Sequence, residues 1–177
     1  MKVNKFNEEV LFAIGKSLTV GRGDIEFLKN RSKRNERKRI RLCTHQGIED
    51  SLHEMFIVHA KGTYIRPHKH LKAESLHIIE GSADLVIFGD KKKIIEVVPL
   101  GDYLSQDKFY YRILKLRYHT LLIKSEILVF HEVKTGPFNR SDTVFAPWAP
   151  QENSPAEARE FMRQLLRAVK EGEEGNE

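Results

Sequence analysis

The stretch GTYIRPHKHLKAESLHIIEG, Gly62 to Gly81, sets three of the chain's 8 histidines and two glutamates among apolar residues. Side chains of an extended segment alternate sides, so His68 and His70 share one face. A bend over Leu71–Ala73 returns the chain and lets Glu74 meet both imidazoles from the neighbouring strand. On that returning strand Leu76 and Ile78 share the face of Glu74, while His77 and Ile79 take the other, so His77 is a poor ligand despite its nearness. Two imidazoles and a carboxylate converging in an apolar interior make a site for a divalent first-row metal. Without a cation, such a cluster must find other hydrogen bonds or bear the cost of desolvation.

The surrounding sequence supplies that interior. Between residues 38 and 133, short runs rich in Ile, Val, Phe, Tyr and Leu recur, among them RIRLC, EMFIVHA, SLHIIE, ADLVIFG, YHTLLI and EILVFHEV. Their spacing of about 8–12 residues predicts an all-β sandwich or barrel. His119 in YHTLLI shares a face with Leu121 and Ile123, so it points inward and is the best donor of a third imidazole. FGDKKKI reads as a hairpin with Lys91–Lys93 at a solvated tip. Residues 1–36 form a mixed N-terminal segment, with a short helix expected from an N-cap at Asp24. Residues 37–150 form the β domain, and 151–177 a helix and tail. In that helix Ser154 is the N-cap, Pro155 the first helical residue and Glu157 the partner in a capping box. Phe161 and Leu165, with Ala168 or Val169, mark an apolar stripe for the sheet or a partner subunit.

The bulk numbers agree with one ordinary domain. At 177 residues, 40% hydrophobic and 31% charged, the chain suits a globular protein with a core of its own. The net charge of +5 is compatible with an anionic ligand. A single cysteine, Cys43, excludes an internal disulfide and reads as a small buried hydrophobe. There is no signal-peptide pattern and no apolar run long enough for a membrane span, so the cytoplasm is the expected compartment and no membrane partner is expected.

Gly62, His68, His70, Glu74 and Gly81 match every specified position of the first motif of the cupin superfamily, G-x5-H-x-H-x3-E-x6-G. The second motif is less complete: LKLRYHTLLI keeps His119 but lacks the usual Pro-x-Gly before it and Asn after it. RKRIRLCTH, HEMFIV, PHKHLKAESLHIIEG, YHTLLI, HEVKTGPF and FAPWAPQE together resemble the WbuC-type cupins, over residues 30 to 152. That resemblance implies a jelly-roll (double-stranded β-helix) barrel. It implies one divalent metal (Fe, Mn, Zn or Ni) on His68, His70, Glu74 and His119, and a setting in bacterial surface-polysaccharide synthesis. Cupins often pair through barrel edges, and the C-terminal helix offers an apolar face, so a homodimer is expected.

Other residues are candidates for the ligand. Arg37, Arg39 and Arg41 alternate along RKRIRLC and could read a phosphate or carboxylate with bidentate bonds, or could instead protect a solvated edge strand. Arg41 lies deepest in the matching block, and His45 borders the same pocket. Glu132, recurring with Lys134 in HEVKTGPF, is the candidate acid or base, and a structural pair between the two is the alternative. Lys72 reads as an exposed turn residue and Trp148 as a loop anchor. The expected function is a metal-dependent cupin acting on a sugar or sugar nucleotide, by isomerisation or epimerisation. Iron-dependent dioxygenase chemistry and a non-catalytic sugar sensor are the alternatives. The basic run KNRSKRNERKRIR lies inside the matched block, and nucleic acid is not expected as a partner.

Overall fold

The computed structural model of the protein describes residues 1–113 and 116–174. Its elements in chain order are β1 (Val3–Lys5), β2 (Val10–Ala13), α1 (Arg22–Ser32), β3 (Arg39–Cys43), β4 (Leu52–Ala60), β5 (His68–His70), β6 (Glu74–Glu80) and β7 (Ser82–Phe88). There follow β8 (Ile94–Gly101), β9 (Tyr110–Ile113), β10 (Tyr118–Ile123), β11 (Ile127–Thr135), β12 (Thr143–Phe145) and α2 (Pro155–Glu174). No described helix is long and apolar enough to cross a membrane.

The strands form two facing sheets, ordered β1-β2-β3-β4-β11-β6-β9 and β12-β5-β10-β7-β8. From β4 onward, the first sheet pairs the first strand with the eighth, then the third and the sixth. The second sheet pairs the second with the seventh, then the fourth and the fifth. That is the jelly-roll order of two interlocked Greek keys. The sheets remain two separate layers, so the expected barrel is an open sandwich. Its core lies between them, where Leu76, Ile78, Leu85, Leu121, Leu128 and Phe130 interdigitate.

The motif's last glycine is explained by the turn from β6 to β7. Gly81 sits at φ +88°, and a Cβ there would fall 2.2 Å from the carbonyl oxygen of Ile127. Only glycine fits this reversal, which carries the chain from β6 in the larger sheet into β7 in the smaller.

Residues 1–36 are less separate than the sequence suggests. β1 and β2 lengthen the larger sheet, with β2 running parallel to β3. β3 therefore has neighbours on both sides and is not an edge strand. α1 begins at Arg22 after an N-cap at Gly21, and Asp24 is the third helical residue, accepting from Gly21 N–H at 2.9 Å. Ile25 and Leu28 seal α1 onto Ile40, Leu42 and Val58. α2 starts at Pro155, as its capping signals predict. Its stripe of Phe161, Leu165 and Val169 is buried on Val86, Phe88 and Leu122 of the smaller sheet. That stripe is spent within the chain. The last three residues of the expected tail, 175–177, lie outside the described residues.

One buried histidine makes the fold sensitive to acid. His59 on β4 lies over Phe130 with ring centroids 5.6 Å apart, and its Nδ1 has no hydrogen-bond partner. Burial, then the fields of Arg39 and Arg41, push its pKa down from 6.5 to about 3. The unfolded chain therefore takes up this proton below about pH 6.5 while the folded chain does not, so stability is lost as pH falls through that window. At pH 5 the contribution is about 2 kcal/mol. Denaturant unfolding of His59→Phe should show a loss between pH 7 and pH 5 smaller than wild type by about that amount. Equal losses in the two proteins would contradict the assignment.

Candidate metal centre

β5 is only three residues long, yet it is fixed on both sides. Its His68 is in register with His119 on β10, and its His70 with Thr143 on β12. Glu74 opens β6 in the opposite sheet, where it pairs with Lys134 on β11. One end of the sandwich thus brings three imidazoles from one layer against a carboxylate from the other. The ligating atoms of His68, His70, Glu74 and His119 all lie within 4.8 Å of one another. Glu74 Oε1 is 3.1 Å from His119 Nε2, and Glu74 Oε2 is 3.1 Å from His70 Nε2. Ligands at about 2.1 Å from one ion and at right angles are about 3.0 Å apart, so both spacings suit neighbouring positions around a cation.

The outer nitrogen of each ring is occupied. His68 Nδ1–H donates to Arg66 O at 2.8 Å and His119 Nδ1–H donates to Arg117 O at 3.0 Å. Lys134 Nζ lies 3.2 Å from His70 Nε2, so Lys134 donates there and His70 Nδ1–H is left to donate to Thr143 Oγ1, also at 3.2 Å. In each ring the Nε2 lone pair is directed inward, the arrangement that orients metal-binding imidazoles. Burial holds these rings neutral. His68 is pushed well below the usual histidine value by burial and then by the fields of His119 and His70. His70 falls to about 4 through burial and Lys134.

Glu74 is 4% exposed. Burial would raise its pKa, but Lys134, His119 and His70 outweigh it and hold the carboxyl well below its usual value. Glu74 Oε2 lies 2.9 Å from Lys134 Nζ, close enough to pair, yet no hydrogen bond of good geometry reaches it. Lys134 meets the His70 lone pair, but the lone pairs of His68 and His119 and the Glu74 carboxylate cannot satisfy one another. The donor set of this cluster therefore fits a divalent cation.

Lys134 also lies 3.1 Å from Glu132 Oε1. Burial raises the pKa of Glu132, Lys134 opposes that, and Glu74 adds to it. The Glu132 side chain is 13% exposed and that of Lys134 is 28% exposed. Burial would lower the Lys134 pKa, but the two carboxylates hold it up. Beside this ammonium, a small pocket with room for about 50 Å³ is lined by His53, His70, Lys72, Lys134, Asp142 and Thr143. That volume holds a few waters or one small polar group.

The remaining sequence candidates separate. Arg37 precedes β3, separated from it by Lys38 at φ +52°. Arg37 and Arg39 both bind Glu9 and Glu152, at 2.5 to 3.0 Å, so their charge is met inside the fold. Arg41 is exposed and makes no side-chain ion pair among the described residues. It shares the inward face of its sheet with Cys43 and lies opposite Ile57. His45 is stacked on His53 at 4.0 Å with Nδ1 3.1 Å from Glu54 O, and it does not touch the cluster. Trp148 packs on Phe88, Tyr118 and Phe161 as a loop anchor. Burial raises the Cys43 thiol to about 11, so it is chemically quiet. Lys72 is partly buried and pairs with Asp142 at 2.9 Å. The sequence reading missed Thr143, which orients His70; its partnership depends on the pairing of β12 with β5, which no local pattern announces.

Jelly-roll strand order, the motif glycines and the His3Glu cluster together define a cupin-type fold with a site suited to a metal ion. Residues 21–100 match a family model described as a domain of unknown function, DUF6016. No curated protein matches the chain. Similar solved structures include a structural-genomics protein from Shewanella oneidensis, 10% identical with a TM-score of 0.48, covering 58% of this chain and 67% of that one. Another is oxalate decarboxylase from Bacillus subtilis, 21% identical with a TM-score of 0.45, covering 55% of this chain and 24% of the enzyme. The chain spans about a quarter of the decarboxylase's length.

Outer hydrogen bonds to ligating imidazoles are typically worth 10- to 100-fold in metal affinity. Thr143→Val, which frees His70 Nδ1, should weaken divalent-metal binding by roughly that factor in chelator competition while the far-UV spectrum stays unchanged. Unaltered affinity would contradict the orienting role of Thr143.

Proposed function

We propose that this protein is a metal-dependent cupin that moves a proton on a small, oxygen-rich anionic ligand of sugar type, as in isomerisation or epimerisation. The observation that carries the reading is the Glu132–Lys134–Glu74 chain. It ties a proton-accepting carboxylate to the metal-binding one through a single, partly exposed ammonium, over contacts of 3.1 and 2.9 Å. A divalent ion on His68, His70, Glu74 and His119 would polarise a ligand carbonyl or hydroxyl.

The protein's own groups supply the rest. Burial makes Glu132 a stronger base than an exposed carboxylate, which suits proton removal from a ligand. Lys134 stands beside it as a counter-charge and hydrogen-bond donor. Lys134 and Lys72 bring ammonium donors to the adjoining pocket, with Asp142 beside Lys72, a polar lining suited to the hydroxyls of a small ligand. Arg41 is the arginine of the RKRIRLC run that makes no side-chain ion pair among the described residues, and it is exposed to meet an anionic group. The pocket's small volume favours a compact ligand, or the compact end of a longer one. The setting in surface-polysaccharide synthesis rests on the resemblance to WbuC-type cupins.

Proton transfer at carbon leaves a mark in heavy water. Metal-loaded protein incubated in D2O with a panel of sugar phosphates and small hydroxy acids should incorporate deuterium into one of them, read by proton NMR. Glu132→Gln should slow this exchange by about 10²- to 10⁴-fold without changing metal content. Exchange that persists unchanged in Glu132→Gln would remove Glu132 from the role. Metal-loaded protein that exchanges no proton on any of the panel would count against proton transfer as the reaction.

A further inference from the structure

Given the sugar-type ligand proposed above, on which this rests, we infer that the cleft over Arg66 and Phe145 takes an uncharged sugar ring joined to the group that the metal engages. Phe145 lies opposite His68 in the pairing of β12 with β5, so the two side chains share a face, with ring centroids 6.2 Å apart. Arg66 O accepts from His68 Nδ1–H at 2.8 Å. Both residues therefore adjoin a metal-binding imidazole. The cleft they line has room for about 520 Å³, against about 50 Å³ beside Lys134. Ligand sites commonly offer about 300–1,000 Å³. The small pocket suits a compact group, and the cleft has space for the rest of a longer ligand.

The floor of the cleft is an aromatic platform. Phe145 is 46% exposed, although it stands beside the buried cluster. The Arg66 guanidinium lies over its ring, 4.7 Å from the centroid. Arg66 Nε is buried without an acceptor, and no carboxylate pairs with Arg66 among the described residues. This guanidinium is held by the ring, with its hydrogen-bonding capacity uncommitted. Glu152 fixes the facing wall. It follows β12, yet it accepts from Arg39 on β3 at 3.0 Å and also meets Arg37, and both arginines bind Glu9. The network ties the segment after β12 to the larger sheet, so the wall is in place before a ligand arrives.

Charge selects the class of ligand. Glu9 and Glu152 are offset by Arg37 and Arg39, one carboxylate for each guanidinium. Glu36 and Arg66, the remaining charged residues of the lining, are again one of each sign. A wall with as many carboxylates as guanidinium groups has no net charge with which to hold a free phosphate, and its carboxylates repel one. It is rich instead in both kinds of hydrogen-bonding group. The arginines donate, the glutamates accept, and the amides of Gln151 and Asn153 do both. A sugar ring matches this lining. Its CH face packs on an aromatic ring, and each rim hydroxyl both donates and accepts. The anionic group of the ligand belongs at the metal centre, and the neutral ring in the cleft.

The test uses the full chain loaded with zinc or with manganese. The probes are methyl glycosides of hexoses, deoxyhexoses and N-acetylhexosamines, with inorganic phosphate and uridine monophosphate beside them. Saturation-transfer NMR should show at least one uncharged glycoside bound at millimolar concentration. Phe145→Leu and Arg66→Ala should each weaken it by about 3- to 10-fold, with metal content and far-UV spectrum unchanged. Because the cleft adjoins His68, manganese should broaden the protons of the bound sugar where zinc does not. Four results overturn the inference: no glycoside bound, binding unaltered in both variants, a bound sugar that manganese leaves sharp, or phosphate or the nucleotide held through Arg66 in preference to every glycoside. Binding is read without turnover, so it can fail while proton exchange at Glu132 stands, and hold while that exchange fails.

Discussion

Three imidazole lone pairs and one carboxylate are pressed together at the end of the sandwich, with Lys134 as their single neighbouring cation among the described residues. Most of the site's local structure can be read as the means of holding that arrangement. Arg66 O, Arg117 O and Thr143 fix the ring tautomers from outside. The short turn between β5 and β6 crosses from one sheet to the other, so that Glu74 arrives from the opposite layer. Lys134 offsets part of the negative charge and links it to Glu132. The four donors together suit a divalent cation.

The jelly roll explains why these residues meet. Its order places β5 beside β10 in one sheet and β6 beside β11 in the other, so residues 68–74 straddle both layers across one short turn. The core fills the middle with Leu, Ile and Phe, leaving the polar cluster at one end. There the chain's irregular segment around Pro137 to Asp142 closes the adjoining pocket. The site therefore rests on strands, and its access on a loop, which suits a rigid donor set with an adaptable entrance.

Much of this could be read from the sequence because period-two alternation carries it. His68, His70 and Glu74 follow from strand parity and one bend, and His119 from its apolar strand-mates Leu121 and Ile123. His77 was set aside on the same ground, and it lies on the outer face. Alternation failed where the backbone departs from it. Lys38 at positive φ interrupts the extended backbone before Arg39, and the carboxylates that absorb both Arg37 and Arg39 come from Glu9 and Glu152, far away in sequence. β1 and β2 were not legible as strands, since three- and four-residue segments carry too little pattern. The Lys134 contacts and the Thr143 support depend on inter-strand pairing, which no short stretch encodes.

The central claim is that His68, His70, Glu74 and His119 hold one metal ion together. Its most direct test is a crystal of the purified protein, with anomalous diffraction collected at the absorption edge of whichever metal the protein retains. The account predicts a single peak per chain, within bonding distance of the three Nε2 atoms and a Glu74 oxygen. A strong peak elsewhere, or well-ordered density in which Lys134 alone fills the space among these four side chains, would contradict it.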